Sequence, residues 1–475
     1  MTVVDIPELV VDGRPVPTED SLTVVNPATG TPLGTCPVAT PELLERAVSA
    51  AVRAGTAWAG DPTARTDALR AMADVITENR DRLARSLSLE TGVPLRDTTL
   101  EAAGAAAFAH YRASTPPPVD RIHDDTRQRV SVHRARIGVV GAIIPWNAPL
   151  LISTEKISTA FAAGNTVVVK PSPLAPLTTL LLGSLLAEHL PPGVLTVLPG
   201  GDSLGRALVA HPGVGMISFT GSTEAGRAIM AAAADRLKRL SLELGGNDAA
   251  IVLPDVDVRK VARKVFQGAF YRGGQVCAAI KRLYVHADVF ESFTAALAEQ
   301  AQATVVGDPF DDAVTMGPIS NRPQFERVRE LVASAVRDGG ILRAGEQAGD
   351  GPGYFHRPTL ITGLRADHKL VAGEQFGPVL PVLPFKDIEE AVRAANDTDY
   401  GLGGSVWTSD ITLGESVAVR LDAGSVWVNR HGVVSPEVPF GGAKQSGVGR
   451  ANGSPGIDQY SELKTVSISL PSTRT

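Results

Sequence analysis

Two short segments of this chain carry the residue types of covalent catalysis. Glu243-Leu244-Gly245-Gly246 sets a carboxylate before two glycines, and Gly273-Gly274-Gln275-Val276-Cys277, a helix-length interval later, sets a thiol after two more. A cysteine attacks an electrophile as its thiolate. The thioester that follows needs a base to activate water for its release. Cys277 alone reads first as a packed thiol, because cysteine is among the most often buried residue types. The glycines shift that reading. Gly273 and Gly274 let backbone approach a ligand closely, and Gly245 and Gly246 close an apolar run without side-chain bulk above it.

Three further segments follow apolar runs and carry groups suited to anions. In Ile144-Pro145-Trp146-Asn147-Ala148-Pro149 the prolines fix the backbone around one amide, which suits a donor to a developing oxyanion, although a plain turn asparagine is the commoner outcome. The run Met216 to Phe219 passes into Thr220-Gly221-Ser222-Thr223-Glu224-Ala225-Gly226-Arg227, a strand-to-helix turn whose free N–H groups and positive dipole end favour a phosphate. It lacks the three glycines in six residues of the common dinucleotide fingerprint, and an ordinary capped helix start reads equally well. Lys170-Pro171-Ser172-Pro173 follows the run Thr166 to Val169, so its lysine sits at the carboxyl end of a strand, where ligands of open α/β sheets bind; a solvated lysine is the alternative.

These groups need a scaffold, and the chain has material for one. Its 475 residues, 44% hydrophobic, predict a globular protein of two or three domains. A net charge of −6 with well-mixed signs gives no basic footprint for nucleic acid or an anionic membrane. Met1 to Val11 carries Asp5 and Glu8 and no signal-like apolar run, and no stretch approaches a membrane span. With only Cys36 and Cys277, no disulfide framework is expected and a reducing, cytoplasmic setting is. Nine scattered histidines without a Cys/His cluster predict no metal. Cys36 is expected to be a buried structural thiol.

Pro41 to Gly60, Arg65 to Thr91 and Thr98 to Ser114 have helical spacing and read as scaffold. After Thr115-Pro116-Pro117-Pro118, the segment Gln128 to Arg136 alternates as a half-exposed strand. Short apolar runs at Gly138 to Ile144, Thr166 to Val169, Leu195 to Leu198, Met216 to Phe219 and Leu240 to Leu242 then alternate with helical segments, which predicts an α/β fold with a parallel, doubly wound sheet. A second series places strands at Ala249 to Leu253, Lys281 to His286, Val379 to Phe385 and Gly424 to Val428, with a helix over Val258 to Gly273. The tail Gln459 to Leu470 reads as a last strand, able to pair with the earlier arm or to stay an exposed edge.

Taken in order, Pro145-Trp146-Asn147, Lys156, Gly164-Asn165-Thr166, Lys170-Pro171-Ser172, Phe219-Thr220-Gly221-Ser222, Glu243-Leu244-Gly245-Gly246, Gly274-Gln275-Val276-Cys277, Glu374-Gln375-Phe376-Gly377-Pro378 and Pro439-Phe440-Gly441-Gly442 resemble the NAD(P)-dependent aldehyde dehydrogenase superfamily over nearly the whole chain. The resemblance implies a Rossmann-type NAD(P)-binding domain (1–118 and 138–244), an α/β catalytic domain (245–453) and a small β oligomerisation arm (119–137 and 454–475) that builds a homodimer or homotetramer. It implies that Cys277 attacks an aldehyde, that Asn147 and the Cys277 N–H hold the oxyanion, that Glu243 activates water and that Lys156 helps relay the proton. Cofactor contacts would come from Ile144, Trp146, Lys170, Ser172, Gly200, Gly221, Ser222, Leu244, Glu374 and Phe376. The substrate wall would comprise Ala148, Leu151, Glu155, Val276, Ala278, Val434 and Phe440.

Departures matter as well. Many NAD-preferring relatives carry a glutamate three residues after the cofactor lysine, where this chain has Pro173; its loss removes one barrier to NADP. NAD is favoured and NADP stays open, since no arginine immediately follows Lys170. Ala148 and Glu155 stand where relatives often have large aromatics, which leans towards a bulky or aromatic aldehyde. Glu155 reads more readily as a helix carboxylate facing water or a cation, and Arg430 and His431, in the region resembling the tunnel-lining loop, read equally as contacts to a polar substrate or as an exposed loop pair. No arginine neighbours Cys277, which gives no support to a reader of a substrate carboxylate. A CoA-acylating semialdehyde dehydrogenase would generally lack Glu243, and a catalytically silent protein on this fold would be expected to lose Cys277, Asn147 or Glu243; all three are present. A cysteine hydrolase would want a paired histidine, and none is near in sequence.

Overall fold

A computed structural model describes residues 7–345 and 351–471. Two mainly parallel sheets with helices packed on their faces carry most of the chain. The first runs, edge to edge, Leu195–Val197, Thr166–Lys170, Val139–Ile143, Val214–Thr220, Arg239–Glu243 and Gly447–Val448, all parallel except the last. Thr166–Lys170 is buried along its whole length, which is why it reads as an unbroken apolar run and not as an alternating one. Chain order reverses between Val139–Ile143 and Val214–Thr220. The segments leaving those two strands, Ile144 to Pro149 and Gly221-Ser222, therefore flank the crevice where open α/β sheets bind ligands.

The second sheet runs Ile341–Ala344, Thr359–Thr362, Val379–Phe385, Ile280–His286, Asp248–Val252, Gly403–Trp407 and Ser425–Val428, parallel apart from its first edge strand. Outside both sheets, Ser461–Ser469 pairs antiparallel with Gln128–Arg136, from Ser461 opposite Arg136 to Ser469 opposite Gln128, and Asp120–Asp124 lies beyond it. The alternating segment and the tail strand expected from the sequence thus meet. Leu463 and Ile468 on the tail strand stay exposed.

The helical scaffold differs in its breaks. The stretch from Arg65 to Thr91, expected as one helix, is two, Pro62–Glu78 and Arg80–Thr91. Asn79 separates them: its amide donates to the Val75 carbonyl at 2.9 Å and ends the first helix. The helix expected over Val258 to Gly273 stops at Phe270, because Arg272, Gly273 and Gly274 take left-handed φ of 54°, 65° and 69°. Unanticipated elements include the hairpins Leu9–Val11/Arg14–Val16 and Ser21–Asn26/Thr31–Pro37 and the helices Leu177–Leu186, Phe290–Ala303 and Arg322–Arg337. Cys36 is fully buried in the first core. Among the described residues no helix is long and apolar enough to cross a membrane, and no cluster of three or more His, Cys, Asp or Glu could hold a metal.

Candidate active site

The left-handed turn at Arg272 to Gly274 brings residues 275–279 out of the helix and into position before strand Ile280–His286. The loop is tied through its carbonyls at residues 275–278 and through the Gln275 side chain. Gln275 accepts at Oε1 from the Ser320 N–H at 2.9 Å and donates Nε2 to the Arg272 carbonyl at 3.1 Å. Lys281, on the first turn of the strand, donates Nζ to the carbonyls of Val276 at 2.9 Å and Cys277 at 2.5 Å. His431 places Nε2 3.0 Å from the Ala278 carbonyl. Cys277 packs with Ala278, Leu402, Trp427 and Phe440. Burial pushes its thiol up to about 12; Lys281 pulls down, and Asp248, Glu243 and Glu374 push further up.

Asn147 reaches this loop directly, donating Nδ2 to the Gln275 carbonyl at 2.9 Å. Its own carbonyl accepts from Arg272 Nη2 at 2.6 Å. Arg272 in turn forms a buried ion pair with Glu101, whose other oxygen accepts from the Leu151 N–H at 3.0 Å. Glu101 thus connects three segments that are distant in sequence. A non-glycine residue at φ 54° is strained, and these bonds hold it there.

Glu243 ends strand Arg239–Glu243, and both of its carboxylate oxygens are buried without a hydrogen-bond partner. Burial pushes its carboxyl up to about 8, with Lys156 and Arg450 pulling down and Glu155 pushing up. Lys156, itself 1% exposed, donates Nζ to Ser218 Oγ at 2.9 Å, which lies 2.6 Å from the Tyr460 hydroxyl. Burial lowers the Lys156 pKa, opposed by Glu155 and Glu243. Burial raises the Glu155 pKa, and the charges of Lys156 and Arg112 pull it down. A Cβ on Gly441 would come 2.8 Å from Glu243 Oε1, so the glycine there leaves the carboxylate its room.

The crevice of the first sheet has the parts a dinucleotide needs. Ser222 caps helix Thr223–Ala233, accepting from the Ala225 N–H at 3.2 Å, and the amides ahead of Ala225 lack intrahelical partners. A Cβ on Gly226 would stand 2.5 Å from Leu244, so this helix start lies tight on the strand end. Ile144 donates its N–H to the Lys170 carbonyl at 3.0 Å. Lys170 donates Nζ to the Pro171 carbonyl at 3.0 Å, and burial lowers its pKa to about 8, opposed by Asp202. Ser172 Oγ accepts from the Leu174 N–H at 3.2 Å, and Gly200 packs on Leu204. Across the crevice, Trp146 and Phe376 meet edge to face at 5.3 Å, with Phe376 at φ 52°. Glu374 Oε1 accepts from the Gly246 N–H at 3.1 Å and lies 3.5 Å from Lys281 Nζ. Uncommitted helix amides, a lysine, a carboxylate beside paired glycines and an aromatic wall fit a pyrophosphate, two riboses and a flat ring.

Of the expected substrate wall, Val276 and Ala278 line a cleft of about 700 Å³. Phe440 packs beside Cys277, and Leu151 leans on helix Leu95–Ser114 near Gly104. Ala148 precedes helix Pro149–Ala162, while Val434 is exposed on the loop after strand Ser425–Val428. Glu101, Ser218, Asp202, Arg272, Lys281 and Tyr460 were not singled out from the sequence. Only Lys281, four residues beyond Cys277, carried a local signal.

This arrangement, a half-buried thiol and a buried carboxylate beside an amide and a crevice that fits a dinucleotide, is one an oxidoreductase can use. Residues 16–466 match the aldehyde dehydrogenase family model, and the chain belongs to that family. It is 40% identical over 466 residues to phenylacetaldehyde dehydrogenase of Pseudomonas fluorescens, covering 95% of this chain and 93% of that protein. To betaine aldehyde dehydrogenase of Cereibacter sphaeroides it is 37% identical over 466 residues, 97% and 96% of the two chains. The solved NAD+ complex of an aldehyde dehydrogenase from Bacillus cereus superposes with a TM-score of 0.95 at 35% identity, covering 99% of this chain and 98% of that one.

Proposed function

We propose that this enzyme oxidises a bulky or aromatic aldehyde to its carboxylic acid, with NAD+ as the preferred cofactor, by a thioester on Cys277 that water hydrolyses. The observation that carries the reading is Glu243. A carboxylate buried with both oxygens unpartnered, and electrostatically coupled to Cys277, is poised to take a proton from a molecule that enters the site.

In this reading Cys277 Sγ attacks the carbonyl carbon. Because burial disfavours the thiolate, its proton leaves to solvent water as the C–S bond forms, and Glu243 stays free for the later step. Asn147 Nδ2 turns from the Gln275 carbonyl to the oxyanion, alongside the Cys277 N–H. Lys170, the Ser222 helix start and Glu374 would hold NAD+, which when bound would supply the hydride acceptor. Glu243 then takes a proton from water as that water attacks the thioester, the C–S bond breaks, and the thiol is restored. Lys156, hydrogen-bonded through Ser218 to Tyr460 and coupled to Glu243 by charge and not by a hydrogen bond, helps relay the proton. Asp202 begins the helix Asp202–Ala210, on which the Lys170 stem rests; it provides the carboxylate absent at Pro173 and disfavours a 2′-phosphate. Residues 1–118 and 138–244 act as the cofactor unit and 245–453 as the catalytic unit. The arm, 119–137 and 454–475, joins subunits of a homodimer or homotetramer.

The aldehyde is not decided by likeness, since relatives near 40% and 37% identity carry the names of phenylacetaldehyde and betaine aldehyde. The bulky lean rests on Ala148 and on the cleft of about 700 Å³ beside Cys277. The test is cofactor reduction with aliphatic and aromatic aldehydes, with and without CoA, for the wild type and Cys277→Ala. Turnover without CoA, lost in the variant and fastest with aryl aldehydes, is expected. Turnover only with CoA would remove the role given to Glu243.

A further inference from the structure

The consecutive carbonyls of residues 275–278 in the nucleophile loop all accept from side chains, and the donors are not alike. Asn147 Nδ2 donates to the Gln275 carbonyl at 2.9 Å, and His431 Nε2 stands 3.0 Å from the Ala278 carbonyl. Both donors are neutral: one is an amide, and burial pushes the His431 imidazole down to about 3. The two carbonyls between them, of Val276 and of Cys277 itself, share the ammonium of Lys281 at 2.9 and 2.5 Å. Val276 does not need a lysine to be held, because its carbonyl also accepts from the Ala279 N–H at 3.1 Å. The Lys281 side chain is 3% exposed, and Glu374 Oε1 lies 3.5 Å from its Nζ. Burying a cation is costly where a neutral donor would serve, so its charge needs a reason beyond tying the loop.

We infer that Lys281 is a positioning residue for the nucleophile: its ammonium orients and polarises the Val276–Cys277 peptide, whose N–H is the backbone donor to the oxyanion, and offsets the negative charge of Asp248, Glu243 and Glu374 near the Cys277 sulfur. The inference rests on the role given to Cys277 above. In a trans peptide the C=O and N–H point to opposite sides, so an ammonium fixed on the Val276 carbonyl leaves the Cys277 N–H aimed the other way. Drawing electron density towards that carbonyl makes the N–H a stronger donor. The second effect acts through space. A Cβ on Gly246 would meet Asp248 Oδ1 and the Cys277 carbonyl at 2.7 Å each, so this carboxylate and the nucleophile share one small neighbourhood. Asp248 on strand Asp248–Val252, Glu243 at the end of strand Arg239–Glu243, and Glu374 ahead of strand Val379–Phe385 all push the thiol further up after burial has done so. Lys281, in strand Ile280–His286, opposes them, and His431, from the loop after strand Ser425–Val428, adds a hydrogen bond without charge.

The test reads the thiol without aldehyde or cofactor. Cys277 is half-buried, and its alkylation by iodoacetamide, in which the sulfur displaces iodide, follows the thiolate fraction. Rates from about pH 7 to about pH 9, scored on the peptide that carries Cys277 so that Cys36 does not count, are compared for the wild type, Lys281→Arg, Lys281→Gln and Lys281→Met. The wild type and Lys281→Arg should react alike, and Lys281→Gln and Lys281→Met about tenfold more slowly at each pH, as the loss of one nearby opposite charge predicts. The burst of reduced cofactor with benzaldehyde and NAD+ should slow in the same order. Lys281→Gln decides between charge and tether, since it keeps a donor for the carbonyls and loses the charge. Wild-type rates in Lys281→Gln, a loss as large in Lys281→Arg, or neutral variants that fail to fold would each reduce Lys281 to a tie in the loop and overturn the inference. A wild-type Cys277 inert to iodoacetamide across this range would overturn it as well. The expected order of alkylation rates without oxidation of any aldehyde would overturn the proposed function and leave the effect of Lys281 on the thiol standing.

Discussion

Replacing Glu243 by Gln keeps its shape and removes its charge, and the structure predicts that the two half-reactions respond in opposite senses. The carboxylate is one of the groups that push the Cys277 thiol up to about 12, so its neutralisation eases thiolate formation. Acylation should survive. Thioester hydrolysis loses its base, and a positioned general base contributes about 10²–10⁴-fold. Rapid mixing of Glu243→Gln with aldehyde and NAD+ should therefore give a burst of about one reduced cofactor per site, followed by a steady rate lower by that factor.

The wild type carries the complementary signature in pH. A base with its carboxyl pushed up to about 8 is roughly one-tenth ionised near pH 7 and roughly nine-tenths near pH 9, so a deacylation-limited kcat should rise about tenfold across that interval. Stability should run the other way. The folded carboxyl holds its proton above the ordinary 4.5, so the folded state binds more protons between about 4.5 and about 8, and stability falls as pH rises through that window. Glu243→Gln should consequently melt higher than the wild type at alkaline pH, by a margin that grows up to pH 8 and vanishes below 4.5. Loss of the burst together with the steady rate, or a kcat flat from about pH 6 to about pH 9, would refute the assignment of Glu243 to the hydrolytic step.

Asn147→Ala removes one oxyanion donor and should lower kcat about 10²–10³-fold in steady-state assays, with a burst that slows to the same extent. Lys156→Met removes the charge that draws the Glu243 pKa down, so the alkaline rise of kcat should move to higher pH; a purely structural Lys156 would lower kcat without moving the profile. Glu101→Gln leaves Arg272 buried without its counter-charge, and urea denaturation should report a loss of about 3–5 kcal/mol, largely recovered in Glu101→Met/Arg272→Met if the pair itself adds little. Asp202→Asn removes the carboxylate facing the Lys170 site and should raise the ratio of kcat/KM for NADP+ over NAD+ by roughly tenfold or more.

Strand positions were legible in the sequence because the two parallel sheets are buried on both faces. Thr166–Lys170 and Asp248–Val252 have no solvent side on which a polar residue could interrupt the apolar run. Val379–Phe385 and Gln128–Arg136 match their expected limits for opposite reasons, one a continuous apolar run and the other a run of alternating residue types in a half-exposed strand between Ser461–Ser469 and Asp120–Asp124. Helix ends were less legible, because local side chains decide them. The Asn79 amide on the Val75 carbonyl divides one periodic stretch in two, and the stretch keeps its apolar spacing across the break. Gly273-Gly274 read in the sequence as a place of close backbone approach and not as the turn that ends the helix, and nothing local showed that Arg272 would share its left-handed region, where tertiary bonds to Glu101 and Asn147 hold it.

The site divides along the same line. Cys277, Glu243 and Asn147 were legible because each sits beside glycine or proline that shapes the backbone around a reacting atom, so a local pattern marks a local function. The groups that tune them carry no such mark. Ser218 lies inside a buried strand and Tyr460 at a helix end 242 residues further on, and only the fold makes them one chain with Lys156. Charge in the substrate cleft is the extreme case. Arg96 and Arg263 are unremarkable one by one, each on an exposed stretch of helix, and only Arg430, on its loop, carried a sequence reading as a contact to a polar substrate. Folding brings the same arginines to the walls of one cleft that Val276 and Ala278 also line. Aldehyde chemistry is thus written in short motifs, and preference among aldehydes in side chains that meet only after folding. That is why relatives nearly equal in identity carry the names of such different substrates.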